Sequence, residues 1–401
     1  MSSPAAIDRL RVATPQGDSG VLGRTDDGYL FGYHAEAPHT AEISLLMPHR
    51  LEPYVGRELL PIFQMNLPEG YLLEQLRLRL AKATPTDPML LLALTGRETA
   101  IGRVRVEPYQ MTGDDGDVTP PAGESLAQIL AWDGAENLFD ELAQRYLMRS
   151  GISGVQPKLL VPEAIPEGKL SLHTSELIVK SGGAEYPGLA VNEFVCMTIA
   201  RAAGISVPEF FLSDNRQLFV MRRFDRTADG GALGFEELVV LMGRGPAQKY
   251  EGSYEQVARF VALFCAPAQR AAALAQLFDQ VALSCILGNG DAHLKNFGVL
   301  YDDPTSENVW LAPAYDLVNT TAYLPRDALA LTLGGSRRLP ATRKRLLEFA
   351  RRCGVTEPAD RLEALLDAAA QGLEKHRALL ETEPLVSAGL QRSVERFTEE
   401  P

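Results

Sequence analysis

The run Gly288-Asn-Gly-Asp-Ala-His-Leu-Lys-Asn296 follows an apolar helical stretch, precedes the strand-like Phe297-Gly-Val-Leu-Tyr301, and sets Asp291 and Asn296 five residues apart in a glycine-containing loop. A protein-kinase catalytic loop uses that spacing, with an aspartate taking the proton of the attacking hydroxyl and an asparagine holding magnesium. The charge on a transferring phosphoryl group must be neutralised, so a carboxylate and an amide oxygen on one short loop make chemical sense. A polar turn capped by its own Asp and Asn fits equally well. Asp316, in Ala314-Tyr-Asp-Leu-Val318, lies in an apolar stretch, where a carboxylate is costly unless it meets a cation or hydrogen-bond donors. Its distance beyond the first loop suits a second metal-binding aspartate; a solvated Asp ending a strand is the alternative.

Lys180 closes the strand-like Glu176-Leu-Ile-Val-Lys180, where a point charge could reach phosphates or simply stand at an exposed edge. Glu193 opens the helical Asn192-Glu-Phe-Val-Cys-Met-Thr-Ile-Ala200, either to pair with that lysine or as a first-turn acid favoured by the helix dipole. Ser150-Gly-Ile-Ser-Gly-Val-Gln-Pro-Lys158 can bring backbone N–H groups against phosphate, although it matches no general nucleotide-binding motif and a plain turn also explains it. Phe219-Val-Met-Arg-Arg-Phe-Asp-Arg226 ends the last strand before a change of pattern; Arg222, Arg223 and Asp225 also read as a surface ion-pair cluster of little energetic weight.

These residues need a sheet to carry the lysine and helices to carry the loop. Period-two segments such as Gly28–Tyr33 and a helical stretch from Glu69 to Ala83 indicate a compact first α+β unit. Gly113–Gly123, rich in acid, Gly and Pro, reads as a boundary. Lys158–Val161, Glu176–Lys180 and Leu218–Phe224 read as strands, with a helix over Val191–Ala203. Beyond Phe235 the pattern is mainly helical: Tyr254–Cys265, Ala268–Leu287, Ala341–Arg352 and Asp360–Glu381. The division expected is 1–112, 113–235 and 236–401. A net charge of −13 argues against a chain-wide cationic surface for nucleic acid or lipid. Cys196, Cys265, Cys285 and Cys353 show no C-x-x-C pairing and read as core thiols. No signal sequence or spanning segment is evident, which points to a cytoplasmic protein without a membrane partner.

The order GISGVQPK, strand-end Lys180, NEFVCMTIARAAGI, RRFDR, NGDAHLKN and AYDL resembles the HipA family of toxin kinases, and Phe63-Gln-Met-Asn-Leu-Pro-Glu-Gly70 resembles that family's N-terminal motif. The resemblance implies an α+β, two-lobed protein-kinase-like fold with an additional N-terminal α+β subdomain and a mainly helical C-terminal lobe. It implies an ATP- and Mg2+-dependent serine kinase with Asp291 as proton acceptor and Asn296 and Asp316 on the metal. ATP would be contacted by Ser153, Gly154, Val155, Gln156, Pro157, Lys158, Lys180, Met221, Arg222, Arg223, Phe224, His293, Leu294, Lys295 and Asn296. Implied partners are a helix-turn-helix, HipB-like antitoxin, through which DNA is met mainly indirectly, and a protein substrate such as an aminoacyl-tRNA synthetase. Self-silencing members carry an acceptor serine where this chain has Gly151; Ser153, with Ser150 as its rival, is then the expected phosphoacceptor. A degenerate antitoxin-binding co-repressor and a small-molecule phosphotransferase are the competing functions.

Overall fold

The computed structural model describes residues 7–79, 87–96, 100–109, 123–132, 138–147, 150, 152, 156–164, 176–183 and 185–399. Three antiparallel sheets organise them. β1 (Arg9–Thr14), β2 (Gly17–Thr25), β3 (Gly28–Tyr33), β4 (Tyr54–Gly56) and β5 (Arg105–Pro108) form one sheet in the order β4-β3-β2-β1-β5. Strand β1 alternates exposed and buried side chains, the period-two signature of a sheet with one face on a core. Gly28 is obligatory where β3 meets β4: its φ is 147°, and a Cβ there would lie 2.2 Å from the Gly56 carbonyl oxygen.

The second sheet comprises β6 (Lys158–Pro162), β7 (Glu176–Ser181), β8 (Phe210–Leu212) and β9 (Leu218–Arg222), ordered β6-β7-β9-β8. Its central strands are buried along their length because helices Leu138–Tyr146 and Leu189–Ala202 pack against it. The expected strands and the helix between them are present; the helix starts two residues before the expected Val191, at Leu189.

The last region is helical, as the sequence pattern indicates, with Tyr254–Phe264, Arg270–Leu287, Arg343–Arg352 and Pro358–Lys375 matching expected stretches. It also holds a sheet of which the pattern indicates one strand, β11 (Gly298–Tyr301), but not its neighbours β10 (Gly234–Glu237) and β12 (Val309–Leu311), and a final helix, Pro384–Glu399. Arg270–Leu287, apolar enough by length and composition to cross a membrane, is the central core helix: from Leu277 to Leu287 every side chain is buried. All four cysteines are buried and unpaired.

The N-terminal sheet is tied to the rest by buried polar contacts. Glu236 accepts hydrogen bonds from Ser44 Oγ, Leu45 N and Tyr301 Oη, each at 2.7 Å. Arg223 lies in the interior rather than on the surface: its guanidinium grips both oxygens of Asp225 at 2.9 and 2.6 Å, meets Glu176 and donates to Ala100 O at 2.7 Å. Gly102 N donates to Asp225 Oδ2 at 2.6 Å. Burial alone would raise the Asp225 carboxyl; Arg223 and Arg226 overcome it and hold the group at about 2. At the end of β10, burial pushes Glu237 up to about 7 against the opposing pull of Lys295.

Replacing Arg223 by Met leaves Glu176 and Asp225 buried with Arg226 as their one remaining guanidinium partner among the described residues; stability should fall by about 3 kcal/mol, read as a lower urea midpoint. Glu237 behaves oppositely. Its folded value lies above the ordinary 4.5, so the folded state binds the extra proton, and stability is lost as pH rises from 4.5 to about 7. Glu237→Gln should therefore gain in urea midpoint over the wild type at pH 8, with the advantage shrinking towards pH 5.

Candidate active site

Strand β7 ends with Lys180, directly opposite Lys158 on β6 and Phe219 on β9. Two lysines facing each other across adjacent strands repel. What makes the pair tolerable is Asp316, whose Oδ1 accepts from Lys180 Nζ at 2.6 Å while Oδ2 lies 3.9 Å from Lys158 Nζ. Lys180 Nζ also donates to Glu193 Oε1 at 2.5 Å. Because the helix begins at Leu189, Glu193 is beyond the first turn, which corrects the reading of it as a helix-dipole residue. It is fully buried, and the ammonium is its partner.

The electrostatics follow from this crowding. Burial would lower Lys180, but Asp316 and Glu193 more than offset it and raise the ammonium above its usual range. Asp316 is held far below the usual carboxylate range: burial opposes ionisation, while Lys180 and Lys158 enforce it. Lys158 itself is lowered by burial, with Asp316 acting against that. Asp316 sits at φ 60°, a left-handed conformation that a non-glycine residue keeps only where its surroundings hold it. Asn319 provides the hold: its N–H donates to Asn192 Oδ1 at 2.8 Å, Asn192 Nδ2 donates back to Asn319 O at 2.9 Å, and its own Nδ2 reaches Ser393 Oγ at 3.0 Å.

The loop bearing Asp291 leaves helix Arg270–Leu287 through Gly288, whose φ of 73° ends the helix with an N–H to Ser284 O. Its backbone is fastened by Gly290 N to Thr320 Oγ1 at 2.8 Å, Tyr254 Oη to Ala292 O at 3.0 Å and Tyr315 Oη to Lys295 O at 2.6 Å. Asn296, Asp316 and Tyr315 line one small cleft, together with Asn289 and Ser284. Asn296 Oδ1 is buried and makes no hydrogen bond among the described residues. An orphaned amide oxygen beside an ionised carboxylate fits magnesium, which takes one or two protein ligands and completes its shell with phosphate and water. No preformed cluster of three or more His, Cys, Asp or Glu occurs among the described residues, and magnesium needs none. The Asp291 carboxylate, half exposed, accepts from Tyr250 Oη at 2.8 Å. Burial raises its pKa, and the Tyr250 hydrogen bond works against that rise.

The side chains expected to contact the nucleotide are placed as follows. Leu294 is wholly in the core, and its N–H goes to Lys249 O. Lys295 reaches Glu69 at 2.9 Å, and His293 is buried, its imidazole lowered to about 3 by burial and so kept neutral. Arg222 is engaged by Glu163 and Glu209, Arg223 by Glu176 and Asp225, and Met221 is buried within β9, so none of these three side chains is free for a ligand. Phe224 does face the site region, stacking on Tyr315 with ring centroids 5.2 Å apart. Gln156 and Pro157 precede Lys158, and Gln156 Nε2 is buried and makes no hydrogen bond among the described residues. Ser153, Gly154 and Val155 lie outside the described residues. Ser150 is fully buried, bonding Tyr146 O at 2.9 Å and Leu160 N at 3.1 Å, and in this conformation lacks the access an acceptor hydroxyl needs.

Two residues of the site escape the sequence pattern. Glu69 belongs to the conspicuous FQMNLPEG run, but its partner Lys295 is 226 residues away; Tyr250 sits in an aperiodic connection between helices.

Comparison with known proteins accounts for both halves of this arrangement. Residues 10–107 match the model of the HipA N-terminal domain, and residues 150–376, more than half of the chain, match that of the HipA-like C-terminal domain. The "Putative kinase Y4dM" of Sinorhizobium fredii is 31% identical over 344 residues, covering 80% of this chain and 76% of the relative. A second protein of that organism, Y4mE, is 31% identical over 306 residues, covering 71% and 70%. In fold, the chain is similar to HipA of Shewanella oneidensis, solved as a complex of HipA, HipB and operator DNA, with a TM-score of 0.66, 18% identity, and coverage of 98% of this chain and 97% of that one. The architecture is thus the α+β, kinase-like fold of that structure, and by the match of both domain models and of these relatives the chain belongs to the HipA family.

Proposed function

We propose that this chain is an ATP- and Mg2+-dependent protein serine kinase acting as the toxin of a toxin–antitoxin pair in the cytoplasm. The observation that carries the reading is the buried Glu193–Lys180–Asp316 bridge, with Asp291 on the loop that leads to the same cleft. Lys180, kept charged by its two carboxylates, and Lys158 opposite it supply cations for the phosphate oxygens. Magnesium held by Asn296 and Asp316 would neutralise the remaining phosphate charge. Asp291 takes the proton of a substrate serine as its oxygen bonds to the γ-phosphorus and the bond to the β–γ bridging oxygen breaks, releasing ADP. The Phe224–Tyr315 stack offers an aromatic surface for the base. Ser153 is the proposed site of self-modification. An aminoacyl-tRNA synthetase is the proposed target. The HipB and operator DNA in the Shewanella oneidensis complex support a helix-turn-helix antitoxin partner, with DNA contacted mainly through it.

Phosphoryl transfer should fall roughly a hundred- to a thousand-fold in Asp316→Asn, with circular dichroism unchanged; wild-type rates at saturating ATP and magnesium would show the assignment to be wrong. Brief expression of wild type and Asp291→Asn in bacteria, followed by phosphoproteomics, should give serine sites in one protein target only with wild type; identical phosphosites in both would refute the kinase reading.

A further inference from the structure

The hydroxyl of Tyr250 lies 2.8 Å from Asp291 Oδ1, while His293 Nε2 lies 4.0 Å from Oδ2, too far for a hydrogen bond. The two oxygens of one carboxylate are therefore unequal: one is held and the other is open on a half-exposed side chain. Tyr250 is itself fixed on several sides. Its ring meets the His293 ring edge-on at 5.2 Å, Lys249 Nζ lies 5.1 Å from its centroid, Arg337 holds its carbonyl at 2.5 Å, and Lys249 O accepts from Leu294 N at 3.0 Å. The phenol is raised well above its usual range by burial and by Asp291, so it keeps its proton and can only donate to the carboxylate.

We propose that Tyr250 is a positioning residue for phosphoryl transfer, pinning Asp291 through Oδ1 so that Oδ2 is presented to the acceptor hydroxyl. The inference rests on the kinase reading above and adds to it a residue from outside the catalytic loop. A carboxylate free to rotate would offer its lone pair over a range of directions, and proton transfer depends on that direction. The groups around Asp291 that set its ionisation are Tyr250, Asp316, Lys249 and Asp327. Tyr250→Phe removes only the hydroxyl, leaving the ring contacts and the other three charges in place.

The experiment is steady-state ADP release by the full chain with ATP and magnesium, water acting as acceptor, for wild type and Tyr250→Phe between pH 5 and 9. The variant should show kcat about ten-fold lower, KM for ATP unchanged, and an acid limb displaced to higher pH, because the lost hydrogen bond favoured the ionised carboxylate. A second variant, Tyr250→Leu, should show the same displacement of the limb along with any loss of packing. Equal kcat in wild type and Tyr250→Phe, or a fall in kcat with the limb unmoved, would overturn the role given to Tyr250 while leaving the kinase reading intact. A wild type that releases no ADP and also labels no protein serine from ATP would overturn both.

Discussion

Everything in this site depends on one ammonium removed from water and shared by two carboxylates. Taking a charged group into the interior costs several kcal/mol, recovered only when partners sit at hydrogen-bond distance. Lys180 meets that condition at 2.5 and 2.6 Å. The triad carries a net negative charge, and Lys158, paired in register with Lys180, brings a second cation to Asp316. None of the four is independent, since removing any one leaves another charge buried without compensation. The left-handed backbone at Asp316 belongs to the same account: the reciprocal Asn192–Asn319 hydrogen bonds join the two segments that carry Glu193 and Asp316, one residue from the former and three from the latter.

Around this centre the N-terminal sheet is a structural partner rather than an appendage. Segments of the N-terminal region reach the stretch before β10 through Ala100 and Gly102, β10 itself through Ser44 and Leu45, and the loop between Gly288 and Asn296 through Glu69. The contacts to Arg223, Asp225 and Glu236 are almost wholly buried, where hydrogen bonds are strong and an unmade one is expensive. A displacement of the N-terminal sheet would thus cost energy at the loop bearing Asp291, which gives that sheet mechanical leverage over the site.

What the sequence discloses follows the range over which its physics acts. Strand β3 occupies Gly28–Tyr33, the residues its alternation indicates, and Lys180 is the penultimate residue of β7, because periodicity and strand punctuation are local. Strands β10 and β12 stay hidden: four and three residues long, they hold no full period and exist through pairing with β11. Ion-pair partners are hidden for a related reason. Arg223 looks like a surface arginine until Glu176, 47 residues earlier, and Ala100, 123 earlier, close over it. Likewise the loop residues His293 to Lys295 carry polar or apolar character legible in the chain, yet which of them turn inward is decided by Lys249 and Glu69.

The two aspartates show how far position governs chemistry. Both are carboxylates close enough to influence each other's ionisation, yet the fold drives them apart: Lys180 and Lys158 hold Asp316 far below the usual range, while burial lifts Asp291 despite Tyr250. A carboxylate pinned by cations keeps its charge at any physiological pH and is suited to holding another cation, because it has little affinity for a proton. A carboxylate lifted by burial binds a proton more readily and is the better acceptor for one leaving a hydroxyl. For the proposed reaction, exchanging the two environments would leave a base too weak to take the proton and a ligand inclined to keep one, so the proposed division of labour resides in the two lysines beside Asp316 and in the burial of Asp291 rather than in the aspartates themselves.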